Sequence, residues 1–273
     1  FNSHLDFFEE IAKFRAARRI WAKRMKNYYN AKNPESWKLR FHTQTAGCSL
    51  TAQQPENNIS RTAFQGLAAV LGGTQSLHTN SMDETLALPS EKAAEIALRT
   101  QQLIAFETGV SNVTDPLGGS WFVENLTDQI EDEAEKYFKE IESMGGVIPA
   151  IEKGYFQYEI SRSASAHQKK IDNNELIHVG VNDFKKPDEK IDIPILEIGR
   201  DVEDYQNEKI AKHRKSRDAE SVKKTLSIVE DSCRNGNNLL PPIMSAVKAG
   251  ATMGEIVITM KNEFGEWNET SVF

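Results

Sequence analysis

Two short segments of this chain place polar side chains where a strand of an α/β protein is normally apolar. In Trp37-Lys38-Leu39-Arg40-Phe41-His42-Thr43-Gln44-Thr45 the alternation is strict. Trp37, Leu39 and Phe41 share one face, and Lys38, Arg40, His42 and Gln44 share the other. The segment Thr74-Gln75-Ser76-Leu77-His78-Thr79-Asn80 repeats the pattern, with Ser76, His78 and Asn80 on one face. Both segments lie between amphipathic helices, so both read as strands of a parallel α/β sheet, a setting in which both faces are usually greasy. In an α/β barrel the outer face of each strand packs on helices, and branched apolar residues fill the lumen. A lumen lined with His, Gln, Ser and Asn calls for a hydrogen-bonding occupant.

Composition bounds the reading without sharpening it. With 39% hydrophobic and 27% charged residues, the 273-residue chain suits one or two globular domains with a real core. A net charge of -7 without a basic stripe excludes a nucleic-acid or anionic-membrane partner as an expectation. Cys48 and Cys233 match no metal or redox spacing, so a reduced, cytoplasmic setting is expected. No signal peptide or membrane-spanning apolar run stands out. The first residue is Phe1, and Asp6 to Ile11 already has helical period, so the chain is expected to begin inside a larger protein.

Along the chain, apolar residues from Phe7 to Tyr28 predict a long amphipathic helix ended by the Asn33-Pro34 turn signal. The first polar-faced strand follows, then a helix from about Asn58 to Leu71, closed by Gly72-Gly73. After the second strand, Ser90 caps a helix running to about Thr108, with Gly109 as its stop. This makes two βα units, where a closed barrel needs eight. From about Glu124 the patterns turn helical, through Leu126 to Ile141 and Tyr155 to Ile171. The stretch Asp183 to Arg200, with Pro187 and Pro194, reads as a surface linker, and charged helices are expected over Glu203 to Asn235 and Pro242 to Phe264. The expected division is therefore a barrel portion over 1–124 and a helical extension with a C-terminal tail over 125–273.

The strands and their flanks carry a family resemblance. Arg40-Phe41-His42-Thr43-Gln44-Thr45-Ala46-Gly47, then Ser49-Leu50-Thr51-Ala52-Gln53 through Asn57-Asn58, then Gly73 to Asn80, and Asp115-Pro116-Leu117-Gly118-Gly119-Ser120 resemble consecutive blocks of the adenosylcobalamin-dependent acyl-CoA mutase family. That family comprises methylmalonyl-CoA mutase and its isobutyryl and 2-hydroxyisobutyryl relatives. The resemblance runs nearly from Phe1 to Asn182 and more loosely to the end. It implies the C-terminal portion of a (β/α)8 TIM barrel followed by a helical extension. It also implies a lumen threaded by the pantetheine arm of an acyl-CoA substrate, with cobalamin capping one end. The implied activity is an intramolecular transfer, a radical 1,2-rearrangement of a CoA thioester of the methylmalonyl-CoA/succinyl-CoA type, whose chemistry the cofactor supplies.

Residue by residue, Gln44, Asn80 and Glu84 match positions that hold the adenosyl ribose in that family. A carboxylate and two carboxamides offer the paired acceptors and donors that a ribose diol needs. The plainer alternative makes Glu84 a first-turn helix acid and Asn80 a cap. Leu88 resembles a residue packed under the corrin, although a Leu before Pro also suits a core. His42, Gln75 and Ser76 match residues near the thioester and pantetheine, yet Gln75 and Ser76 are neighbours, and alternation turns one of them away. Arg40 is either a deeper lumen residue or a structural charge, and His78 either a lumen residue or a satisfied core histidine.

The chain departs from the family pattern in two ways. The Asp-x-His-x-x-Gly signature that supplies the cobalt ligand is absent, so a separate domain or a cobalamin-binding small subunit is the expected source. The first half of the barrel, with its acyl-clamping positions, is also missing, so the fragment alone is expected to be inactive and to need that half in a homo- or hetero-oligomer. Two alternatives are a noncatalytic paralogue that braces an active subunit and an unrelated helical interaction protein. The polar-faced strands argue against the latter.

Overall fold

The computed structural model describes residues 1–186 and 193–268 and divides the chain into two compact units, one reaching Leu196 and the other starting at Glu197. Pro187, in the expected linker, lies outside the described residues. On either side of it, 185–186 and 193–199 form no helix or strand.

The first unit is built on a three-stranded parallel sheet in the order β1-β2-β3. Its strands are Asn2–Ser3 (β1), His42–Thr45 (β2) and Ser76–His78 (β3). Each is followed by a helix: Phe7–Lys23 (α1), Asn57–Leu71 (α2) and Glu91–Phe106 (α3). The register pairs Asn2 with Gln44, Ser3 with Thr45, His42 with Ser76, and Gln44 with His78. The sequence predicts two βα units, and the structure has three, because β1 is two residues long and offers no period to read. Its parallel pairing is visible only through partners such as the Ala46 N–H donating to the Ser3 carbonyl at 2.8 Å.

β2 is also shorter than its alternation implies. Pro34–Trp37 forms a 3₁₀ turn whose start is capped by the Asn33 side chain, and the Trp37 indole donates back to the Ala31 carbonyl at 2.9 Å. Lys38 and Arg40, placed by period on a strand face, instead bind the two oxygens of Glu35, at 2.5 and 2.8 Å. Alternation therefore marks a real strand only from His42.

Helix α1 packs against the sheet and α2. Phe14 stacks on Phe41 with ring centroids 5.3 Å apart, and Ala69, Leu39 and Leu77 complete the cluster. Gly72 ends α2 at the same place, where a Cβ would fall into the Phe14 ring. A second cluster joins Ile11, Ala68 and Val123 with Phe7, Leu71 and Leu117. It brings in Trp121–Ser143 (α4), which lies along α1 in a ladder of ion pairs. Arg15 binds Asp115 and Glu124 at 3.0 and 2.7 Å, Arg19 binds Asp128 at 2.6 Å, and Arg24 binds Glu135 at 2.6 Å. Compactness thus joins α4 to the strands, and Val147–Glu152 (α5) and Tyr155–Asp172 (α6) follow in the same unit.

In the second unit, each of the stretches expected to hold charged helices, Glu203 to Asn235 and Pro242 to Phe264, divides into two helices. The first forms Arg200–Ser216 (α7) and Ala219–Arg234 (α8), because Asp218 accepts from the Glu220 and Ser221 amides and starts a new helix. Leu240–Lys248 (α9) and Met253–Phe264 (α10) pack on α8 around Val222, Val229, Cys233, Ala246 and Ile256. A capping box of Thr252 and Glu255 opens α10, and Arg217 grips the Glu255 carboxylate with both terminal nitrogens, holding that carboxyl far below the ordinary range. Among the described residues no helix is long and apolar enough to cross a membrane.

Candidate functional site

The two faces of the sheet differ sharply. Along β2, His42 and Gln44 are exposed while Thr43 and Thr45 are fully buried, and along β3 Ser76 and His78 are exposed on either side of Leu77. Register partners in a parallel pair project to the same side. Asn2, His42, Gln44, Ser76 and His78 therefore form one continuous polar face. On it, His42 Nδ1 and Ser76 Oγ are hydrogen-bonded at 2.5 Å. Gln44 and His78 have no side-chain partner among the described residues.

The closed face is polar as well, but it is satisfied from within. Ser3 Oγ donates to the Gln65 carbonyl at 2.8 Å, Gln65 Nε2 donates to Ser49 Oγ at 2.6 Å, and Ser49 Oγ donates to the Ala46 carbonyl at 2.7 Å. Thr79 Oγ1 donates to the Ala97 carbonyl of α3 at 2.7 Å. Short hydroxyl residues let helix and strand approach closely while each buried polar atom finds a partner. Thr43 Oγ1, Thr62 Oγ1 and Gln65 Oε1 are exceptions, buried without a partner among the described residues.

At the C-terminal ends of β2 and β3 these bonds fix Asn80. Thr45 Oγ1 donates to Asn80 Oδ1 and accepts from the Asn80 N–H at 2.9 Å. Asn80 Nδ2 donates to Glu84 Oε2, and Glu84 Oε1 accepts from the Ser81 N–H at 3.0 Å. Asn80 is buried and Glu84 half-buried. Glu84 belongs to an irregular turn and not to a helix. Helix α3 starts at Glu91 and is capped by Ser90, whose Oγ accepts from the Ala93 N–H. The first-turn alternative for Glu84 therefore fails, and the carboxylate binds its own turn. Each carboxylate oxygen and the Asn80 amide keep unused hydrogen-bonding capacity.

The structure joins Asn80 and Glu84 directly. Asn80, expected on one face with Ser76 and His78, is instead buried and bound to Thr45 of the closed face, whereas Gln44 is exposed on the open face. Leu88 is 57% exposed in the same loop as Glu84. Ser76 and Gln75 are separated as alternation requires. Ser76 lies on the open face, while Gln75 Oε1 accepts from the Phe41 N–H at 2.7 Å and Nε2 donates to the Gly73 carbonyl at 2.9 Å. Arg40, bound to Glu35, stands outside β2. His78 is exposed on the open face, which removes its core alternative.

Two supporting residues escaped the sequence reading. Thr45 looks like an ordinary strand residue until its hydroxyl is seen on Asn80. Asn58 lies fully buried in α2 and donates to the Thr51 and Met82 carbonyls at 2.8 and 2.9 Å, tying the loop after β2 to the loop after β3. Beside it Arg61, also buried, binds Thr51 Oγ1, Asn58 Oδ1 and the Val179 carbonyl, with no carboxylate partner among the described residues. Burial lowers the pKa of this guanidinium and also that of His178, which donates to the Ser49 carbonyl at 3.2 Å. Among the described residues no cluster of His, Cys, Asp or Glu is arranged to hold a metal ion.

Residues 1–266 match the protein family described as methylmalonyl-CoA mutase. The chain belongs to that family. It is 45% identical to the 2-hydroxyisobutanoyl-CoA mutase large subunit of Aquincola tertiaricarbonis, over 100% of this chain and 49% of that protein. It is 42% identical to methylmalonyl-CoA mutase of Rhizobium meliloti, over 96% of this chain and 37% of that protein. To the mitochondrial methylmalonyl-CoA mutase of Homo sapiens it is 42% identical, over 96% of this chain and 35% of that protein. This member of the mutase family therefore spans about half, or less, of the length of the curated relatives it matches.

Proposed function

We propose that this chain forms part of the catalytic domain of an adenosylcobalamin-dependent acyl-CoA mutase, an isomerase that rearranges the carbon skeleton of a CoA thioester. The division expected at residue 124 falls within α4, so in this reading the three strands and the helices that follow them contribute the last part of a (β/α)8 barrel, and the helical extension begins with α4. The observation that carries the reading is the Asn80–Glu84 couple, fixed by Thr45 at the C-terminal ends of two parallel strands. Ligands of barrel enzymes bind at that end of the strands.

In this reading Gln44, Asn80 and Glu84 hold the adenosyl ribose. The donor set fits, because an anionic acceptor and two carboxamides can serve two vicinal hydroxyls at once. Leu88, exposed in the same loop, is offered to the corrin. His42 and Ser76 hydrogen-bond the thioester and pantetheine from the open face. The roles of Gln75 and Arg40 on the substrate side rest on the resemblance alone, since their side chains already bind the backbone and Glu35. Adenosylcobalamin supplies the radical chemistry. The work of this chain is to orient the nucleoside and the acyl arm and to exclude water between them. The cobalt ligand comes from a separate domain or small subunit, and the remaining barrel strands come from the rest of the enzyme. The free thiols of Cys48 and Cys233 fit a reducing compartment such as the cytoplasm.

The test is turnover by the complete polypeptide carrying this sequence, supplied with its cobalamin-binding partner, adenosylcobalamin, and methylmalonyl-, isobutyryl- or 2-hydroxyisobutyryl-CoA. Formation of the isomeric thioester only when the coenzyme is present supports the proposal. A tight complex that turns over none of them supports a bracing subunit instead.

A further inference from the structure

The open face of the sheet holds polar side chains to which no function has been given, His78 on β3 among them. β2 and β3 set four residues there in two rows: His42 beside Ser76, and, nearer the C-terminal ends, Gln44 beside His78. The rows differ in what they leave unused. His42 and Ser76 hydrogen-bond each other. Gln44 and His78 have no partner among the described residues, although both stand on a face where every neighbour is polar.

We infer that His78 is a further binding residue for the nucleoside part of the coenzyme and acts with Gln44. This rests on the ribose assignment proposed above. Register partners on neighbouring parallel strands lie about 5 Å apart, so a ligand that reaches the Gln44 carboxamide also meets the His78 ring. A neutral imidazole has one donor and one acceptor nitrogen, the combination a hydroxyl can answer. The position also separates His78 from the substrate row. It is one strand repeat beyond Ser76 and two residues before Asn80, on the side where Thr45 and Asn80 close the strand ends. Because His78 is exposed, its substitution leaves the core untouched.

The experiment compares His78→Phe, His78→Gln and Gln44→Ala in the complete mutase with its cobalamin-binding partner. The dissociation constant of adenosylcobalamin and the KM for the acyl-CoA are measured separately. His78→Phe is expected to weaken adenosylcobalamin about tenfold with an unchanged KM, and His78→Gln to restore most of the affinity, since one hydrogen bond to the nucleoside is at stake. A raised KM with unchanged coenzyme affinity would move His78 to the substrate arm and overturn the inference. No change in either constant would make it a lumen filler and overturn it too. If Gln44→Ala weakens the coenzyme while His78→Phe does not, this inference alone falls. If neither variant changes the coenzyme affinity, the ribose assignment falls with it.

Discussion

Thr43 and Thr45 sit two residues apart on the same buried face of one strand, yet their hydroxyls do opposite things. Thr45 Oγ1 serves both the backbone N–H and the side-chain oxygen of buried Asn80, whereas Thr43 Oγ1 has no partner among the described residues. Valine has nearly the same shape, so Thr→Val opens no cavity and isolates the hydroxyl. In Thr45→Val two hydrogen bonds are lost, and a buried N–H and a buried oxygen are left unpaired. With about 1–3 kcal/mol for each of the two stranded groups, a loss of about 2–6 kcal/mol is expected. Thr43→Val removes a buried polar atom that nothing satisfies, so it should be neutral or stabilise by about 1 kcal/mol. Denaturant midpoints followed by circular dichroism, at equal m-values, separate the two variants. Equal destabilisation by both substitutions would refute the assignment of Asn80's position to the Thr45 hydroxyl.

Two pH effects follow from the same contacts. Glu124, held by Arg15 and the Gly119 amide, titrates in the folded chain at about 2 against an ordinary 4.5. Its contribution is therefore complete above 4.5 and lost as pH falls towards 2, and Glu124→Gln should flatten that part of the acid stability curve. Burial lowers His178, with Arg61 and His167 adding like charge, so the unfolded chain protonates first and stability falls as pH drops below about 6.5. Hydrogen exchange of the Ile177 to Phe184 amides, corrected for intrinsic rates, should show protection lost between pH 7.5 and 5.5, and His178→Gln should remove the pH dependence. Protection unchanged over that range would mean that His178 does not hold the segment.

What could be read from the residues, and what could not, divides along physical lines. Alternation across His42, Thr43, Gln44 and Thr45 placed the polar face correctly, because period follows directly from strand geometry. The same alternation misled from Trp37 to Phe41, where one carboxylate, Glu35, could hold both Lys38 and Arg40 in a local turn. The helix start at Ser90 was legible because a capping side chain is a local requirement, whereas α3 ends at Phe106, before the expected stop at Gly109, whose left-handed φ of 73° opens the next 3₁₀ turn. β1 was not legible, since two residues become a strand only through a neighbour 41 or more positions away. Thr45 and Asn58 were missed for a similar reason. Their hydroxyl and amide gain meaning only when loops distant in sequence close on them.

The most direct test of the ribose assignment is Glu84→Gln in the complete mutase, measured by the affinities of adenosylcobalamin and of methylcobalamin, which lacks the nucleoside. Removing one charged hydrogen bond of about 1.5–3 kcal/mol should weaken adenosylcobalamin about 10- to 150-fold while methylcobalamin stays within about twofold of the unaltered enzyme. Equal weakening of both cobalamins, or of neither, would contradict the claim that Glu84 holds the adenosyl ribose.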